Sequence, residues 1–158
     1  MKKHNGFSLV ELLIVVMVIS IVAAIAIPNL LAARRASNEG SAISAMRILN
    51  GAQNTYATTY GGGNYAAALT DLSAAYLIDS VLSGGTKSGY LYITGAVNKT
   101  STTPSTFFCS AIPSDTGGVT ATGARRFGIA TDGVIKADTN LTGQFDATTV
   151  AAAAPFQN

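Results

Sequence analysis

Cysteine, histidine and tryptophan are almost absent from this chain: it has one Cys at 109, one His at 4 and no Trp. One cysteine cannot close an intrachain disulfide. Without paired Cys and His residues, zinc sites, Cys–His nucleophiles and His-based acid–base catalysis lack raw material. Charge is scarce too: 11% of residues are charged, Lys+Arg 10 against Asp+Glu 8. No basic field marks a nucleic-acid partner, and no cofactor motif appears. What the chain has in excess is apolarity, 48% hydrophobic with a mean hydropathy of +0.35. That is too apolar for disorder and high for an ordinary soluble domain. Its 158 residues suit one domain plus one appended element.

The apolar residues are concentrated near the start. From Leu12 to Ala33 there are 22 residues without a charge; as a helix they reach about 33 Å, enough to cross a hydrocarbon core of about 30 Å. A run apolar on every face belongs in lipid or among similar helices. Two interpretations compete. In a secretory signal peptide, Lys2 and Lys3 form the basic region and Ala24-Ile25-Ala26 the cleavage site, and the helix is discarded. Against that stand the carboxylate of Glu11 inside the run and a length beyond the usual 7–15 or so residues.

The continuous segment Gly6-Phe7-Ser8-Leu9-Val10-Glu11-Leu12-Leu13 resembles the N-terminus of type IV pilins and the related pseudopilins of type II secretion systems. The resemblance is strong over roughly the first thirty-five residues. It implies that a prepilin peptidase cuts between Gly6 and Phe7 on the cytoplasmic side. The leader, residues 1–6, is then lost, and the new Phe7 amine is methylated. It also implies that Glu11 meets the N-terminus of an adjacent subunit during assembly. Partners would be identical or related subunits in a helical filament, the peptidase, and assembly machinery in the inner membrane. The chain would wait in that membrane and finish in a filament on the cell surface, or in a periplasmic pseudopilus.

Physical chemistry is consistent with these roles. Asn5-Gly6 is turn-prone and does not extend the helix upstream. Positive charge does not fix the orientation, since Lys2 and Lys3 face Arg34 and Arg35 across the run. A cationic amine at Phe7 and a carboxylate one turn later neutralise each other and lower the cost of burying either. Loss of the leader would remove two lysines and the histidine, leaving eight cationic and eight acidic side chains. The competing role for Glu11 is a carboxylate placed favourably at a helix N-terminus.

Residues 7–34 are therefore expected to form a transmembrane and filament-core helix, bent or loosened at Pro28. It should continue as an amphipathic half over 35–60. Ile43, Met46, Leu49, Gln53, Tyr56 and Tyr60 recur at three- and four-residue spacings, with Arg35, Glu39, Arg47 and Asn54 off the stripe. The whole helix would be about 80 Å long. Gly61-Gly62-Gly63-Asn64 suits its C-terminal end. The head, 61–158, is expected to hold a four-stranded antiparallel sheet, giving an α+β fold. Its strands are Tyr90–Thr94, Thr106–Ala111, Arg126–Thr131 and Val134–Lys136, the last two joined by a two-residue turn at Asp132-Gly133. Ala67–Leu72 and Tyr76–Ile78 suggest a short helical turn, and 83–89 a loop. Lys87-Ser88-Gly89-Tyr90 and Asp132-Gly133-Val134-Ile135 also resemble pilin and pseudopilin heads.

Other motifs are weaker. Asp138, Asn140 and Asp146 offer oxygen ligands as in calcium loops, but the terminal bidentate acid is missing, and a plain turn competes. Asn98-Lys99-Thr100 and Asn140-Leu141-Thr142 match glycosylation acceptors. Arg125-Arg126 suits a strand edge or subunit contact better than DNA. Cys109, alternating with Phe107 and Ala111, suits a buried position. The expected function is a non-enzymatic pilus subunit. Alternatives are a type II secretion pseudopilin and, more distantly, a membrane-tethered periplasmic enzyme or binding protein.

Overall fold

A computed structural model describes residues 7–157. The chain divides into two compact units, one ending at Arg34 and the other starting at Arg35. One helix, α1 (Leu9–Thr59), has residues in both and runs through Pro28 without interruption. In the first unit it is the sole regular element among the described residues.

The second unit adds α2 (Leu69–Ala74), α3 (Ser80–Ser83) and α4 (Ala147–Ala152) to five strands. These are β1 (Thr86–Lys87), β2 (Tyr90–Val97), β3 (Thr106–Pro113), β4 (Arg126–Ala130) and β5 (Lys136–Asp138). The strands form one antiparallel sheet in sequential order. Alternation puts Tyr90 and Tyr92 of β2, Phe107, Cys109 and Ala111 of β3, and Phe127 and Ile129 of β4 into one core. Ala42, Ala45, Met46, Leu49 and Ala52 of α1 meet them there. The small alanines let the helix backbone approach the sheet closely. On the other face Phe145 and Val150 sit where a side chain at Gly128 would be: a Cβ there would meet Val150 at 2.7 Å and Phe145 at 2.8 Å.

The α+β expectation holds, with corrections in detail. The sheet has five strands rather than four, because 83–89 is not all loop. Ser88 and Gly89, at φ 50° and 72°, make a two-residue turn with left-handed backbone that pairs Lys87 with Tyr90. Asp132-Gly133 does not make the expected two-residue turn. The Gly133 N–H donates to the Ala130 carbonyl at 2.9 Å, Gly133 takes φ 69°, and pairing resumes only at Gly128 with Lys136. The last strand consequently starts at Lys136, not Val134. Helix α1 ends as expected, its Tyr56 and Ala57 carbonyls taken by the Gly61 and Gly63 amides.

Two positions on α1 differ from the expected stripe. Tyr60 is 58% exposed and stacks on Tyr56 with ring centroids 6.1 Å apart. Glu39, expected off the stripe, is buried. Its spacing explains this: Glu39, Met46 and Gln53 are seven apart and share a face. Its polarity had hidden a position that its period places in the core.

Candidate assembly surface and functional residues

In the first unit every Leu, Ile, Val and Met from Leu9 to Leu30 is at least 49% exposed. The segment is long and apolar enough to cross a membrane. Soluble monomers rarely expose a contiguous apolar surface of this kind, so it requires lipid or similar helices around it. Its few polar groups are handled locally: the Ser20 hydroxyl donates to the Val16 carbonyl at 2.8 Å. Glu11 lies in the first turn of α1, where the free backbone N–H groups favour a carboxylate. Among the described residues it has no ion-pair partner. Phe7 is 77% exposed. Gly6, with Lys2, Lys3 and His4, lies outside the described residues.

The other candidate residues serve the head. Arg125 and Arg126, read as an edge or subunit contact, are held internally. Arg125 donates from Nε and Nη2 to Glu39 Oε2 at 3.0 and 2.7 Å, and its guanidinium lies over the Phe156 ring at 5.0 Å. Glu39 also accepts from the Ala124 N–H at 2.9 Å, so one buried carboxylate joins α1 to the approach of β4. Arg126 donates to Asp138 Oδ2 at 2.8 Å and to the Gly143 carbonyl at 2.7 Å, and covers the Phe145 ring at 4.0 Å.

Asp138, Asn140 and Asp146 each have a separate local role. The Arg126 guanidinium, with the Asn140 N–H, holds the Asp138 carboxyl below its ordinary range. Asn140 Oδ1 accepts from the N–H and hydroxyl of Thr142. Asp146 caps α4, accepting from the Thr148 and Thr149 amides at 2.9 and 2.8 Å. Those bonds, the Thr149 amide first, lower its carboxyl. Among the described residues no three of His, Cys, Asp and Glu converge.

Cys109 is fully buried, and burial pushes its thiol up to about 12. It touches Thr94 Oγ1 at 3.2 Å within a network closed by Gln53. The Gln53 amide donates to the Ala66 carbonyl at 3.0 Å and to Thr94 Oγ1 at 2.8 Å, and accepts from the Ala66 N–H at 2.9 Å. Arg35 was not marked by any motif. It binds the Ala121 and Gly118 carbonyls at 3.1 and 2.7 Å; these are contacts between distant parts of the chain that no local pattern announces.

The prokaryotic N-terminal methylation motif matches residues 1–27. A type IV wide pilus major component from Thermus thermophilus is 56% identical over 39 residues, 25% of this chain. The match spans 30% of that relative's length. No solved structure gives a significant match. The motif match therefore falls on the segment that carries Phe7, Glu11 and most of the exposed apolar run, while the head has the α+β form described above. The chain thus carries the N-terminal methylation motif and, over a quarter of its length, is similar to a pilus component.

Proposed function

We propose that this chain is the repeating structural subunit of a type IV pilus. A prepilin peptidase cleaves it between Gly6 and Phe7, and the Phe7 amine is methylated. The subunit is stored in the inner membrane through residues 7–34. Assembly machinery then transfers that segment into a bundle of identical helices at the filament core, and the head forms the outer surface. The single observation that carries this proposal is the exposure of every Leu, Ile, Val and Met side chain from Leu9 to Leu30. Lipid and a helix bundle satisfy such a surface about equally, so little apolar burial is lost on transfer. Copies that repeat a heterologous contact without closing give an open helical filament.

Glu11 would supply register. Entering a packed core, its carboxylate requires a cation, and the amine of Phe7 on a neighbouring copy is the group of matching depth. Pro28, which removes one backbone donor from α1, would let the helix loosen there during packing.

The test is intact-mass analysis and electron microscopy of filaments sheared from cells expressing the chain. The expected subunit lacks residues 1–6 and carries one added methyl. An N-terminus at Ile27 would establish a discarded signal peptide instead. Glu11→Gln keeps size and hydrogen bonding but cannot neutralise an amine; it should accumulate as processed, membrane-bound subunit with few filaments. Normal filament yield from Glu11→Gln would remove the pairing role and leave the helix-end role.

A further inference from the structure

The second unit contains one aromatic residue whose backbone and side chain are both unfavourable for an isolated subunit. Helix α2 ends in a six-residue cap: the Leu77 N–H donates to the Leu72 carbonyl and the Tyr76 N–H to the Ser73 carbonyl, both at 2.9 Å. This bonding pattern requires left-handed backbone at the residue between, a position that glycine normally fills. Here it is Tyr76, at φ 57°. The described left-handed positions at 62, 63, 85, 89, 118 and 133 are all glycine, leaving Tyr76 and Ser88 as the exceptions.

No contact among the described residues accounts for the choice. Tyr76 is 95% exposed, whereas Tyr60 stacks on Tyr56 and Tyr65 packs on Phe107 at 4.7 Å. Strain of this kind persists where a function needs the side chain. The ring projects instead of lining a cavity, so it does not suit a small ligand, which needs concavity. Val81, following on α3, is 56% exposed, and the one nearby carboxylate in that turn, Asp79, is already paired with Lys87 at 2.9 Å. The surroundings thus offer a neutral, partly apolar footing for a rigid amphipathic ring, the composition of an interface anchor.

We infer that Tyr76 anchors the contact between the heads of neighbouring copies of this chain. The inference rests on the filament proposal, which sets a second copy against every head at a fixed offset. A heterologous contact of that type seats a projecting group of one copy in a recess of the next. Left-handed backbone at position 76 sets the direction in which the ring leaves the surface.

The test uses the full-length chain, as detergent-solubilised subunit and as filament. Tyr76→Gly removes strain and ring together. The solubilised variant should melt above the parent, while its filament yield falls by about tenfold or more, as expected on losing an anchor aromatic. Tyr76→Phe should retain filaments. Nitration of Tyr76 by tetranitromethane should proceed readily in solubilised parent subunits and be suppressed in filaments. Parent-level filament yield from Tyr76→Gly, or equally fast nitration in filaments and subunits, would overturn the contact while leaving the filament proposal intact. A lowered melting temperature for Tyr76→Gly would show that the ring serves the fold and would overturn the contact as well. If the processed parent makes no filaments at all, the filament proposal fails and the contact fails with it.

Discussion

Helix α1 obeys two different rules on either side of Arg34. Before it, large aliphatic side chains surround the helix and those from Leu9 to Leu30 are exposed; after it, one face narrows to Ala42, Ala45, Met46, Leu49, Ala52 and Gln53, all buried. The backbone conformation is the same in both parts, so helix formation itself does not distinguish them. The difference lies in what completes each surface. In the second unit the chain's own sheet supplies the partner, with small residues setting the approach and every polar group of Gln53 satisfied. In the first unit the chain supplies none among the described residues. A fold can thus be finished in one region and left to its surroundings in another, along a single helix.

The largest expected effect separates the two parts directly. Leu49→Ala removes a fully buried side chain and should destabilise the head by about 2–5 kcal/mol. Ile19→Ala, at a site 60% exposed, should change head stability by less than about 0.5 kcal/mol. Thermal melts of the solubilised full chain, followed by near-ultraviolet dichroism of its tyrosines, measure both. Similar losses from the two variants would break the comparison and show that the first unit contributes to the head's core.

A smaller effect concerns the one carboxylate of α1 that the sheet side takes in. Glu39→Ala leaves the Ala124 N–H and the Arg125 guanidinium without their acceptor and should cost about 2–3 kcal/mol, less than a fully buried pair because Arg125 is 38% exposed. Glu39→Gln retains an acceptor for the Ala124 N–H and should lose less. Urea titration ranks the three proteins; equal stability of Glu39→Ala and the parent would show that this link carries no net free energy.

The sequence made the division of α1 legible because both halves speak through periodicity: unbroken apolarity in one, a three-and-four spacing in the other. It placed β2, β3 and β4 within a few residues for the same reason. It failed where identity and position disagreed. Glu39 has a core period but a charged side chain, and only its distant partners Ala124 and Arg125 make burial tolerable. Ser88-Gly89 forms a hairpin turn inside a run of Gly and Ser that resembles a loop, because its strand β1 is two residues long. Asp132-Gly133 carried the stronger turn signal, yet the Ala130–Gly133 hydrogen bond shifts its register by one residue. Arg125 and Arg126 looked like surface charge because their acceptors, Glu39 and Asp138, are 86 and 12 residues away. The residues proposed for processing and assembly, Phe7 and Glu11, are defined by local spacing alone and need no tertiary fold to bring them together.

The smallest effect per group is expected on acidification, and it too distinguishes the units. Between residues 7 and 34 there is no aspartate, whereas in the head five aspartate carboxyls are held below their ordinary value of 3.8. The causes are local: the Lys87 ammonium for Asp79, the Gly117 N–H for Asp115, the Arg126 guanidinium for Asp138 and the Thr149 N–H for Asp146. For Asp132 partial burial works upward, but the bonds from Lys136 and the Val134 N–H outweigh it. Each carboxyl binds its proton more readily when unfolded than when folded. Its contribution is therefore complete above the ordinary value and is lost as pH falls through the lowered one. At the alkaline end the sign reverses. Burial raises Tyr92 and Cys109 to about 12, so the unfolded chain releases these protons first, and stability should decline from about pH 9 upward. The melting temperature of the head should therefore be level from about pH 5 to 8, fall by a modest amount towards pH 3, and fall again above pH 9, while helical dichroism from the first unit in detergent stays constant throughout. Asp138→Asn should flatten part of the acid limb while lowering stability at neutral pH, because it gives up the ion pair with Arg126 in advance. A melting temperature unchanged between pH 7 and pH 3 would show that these carboxylates are no better held in the folded head than in the unfolded chain.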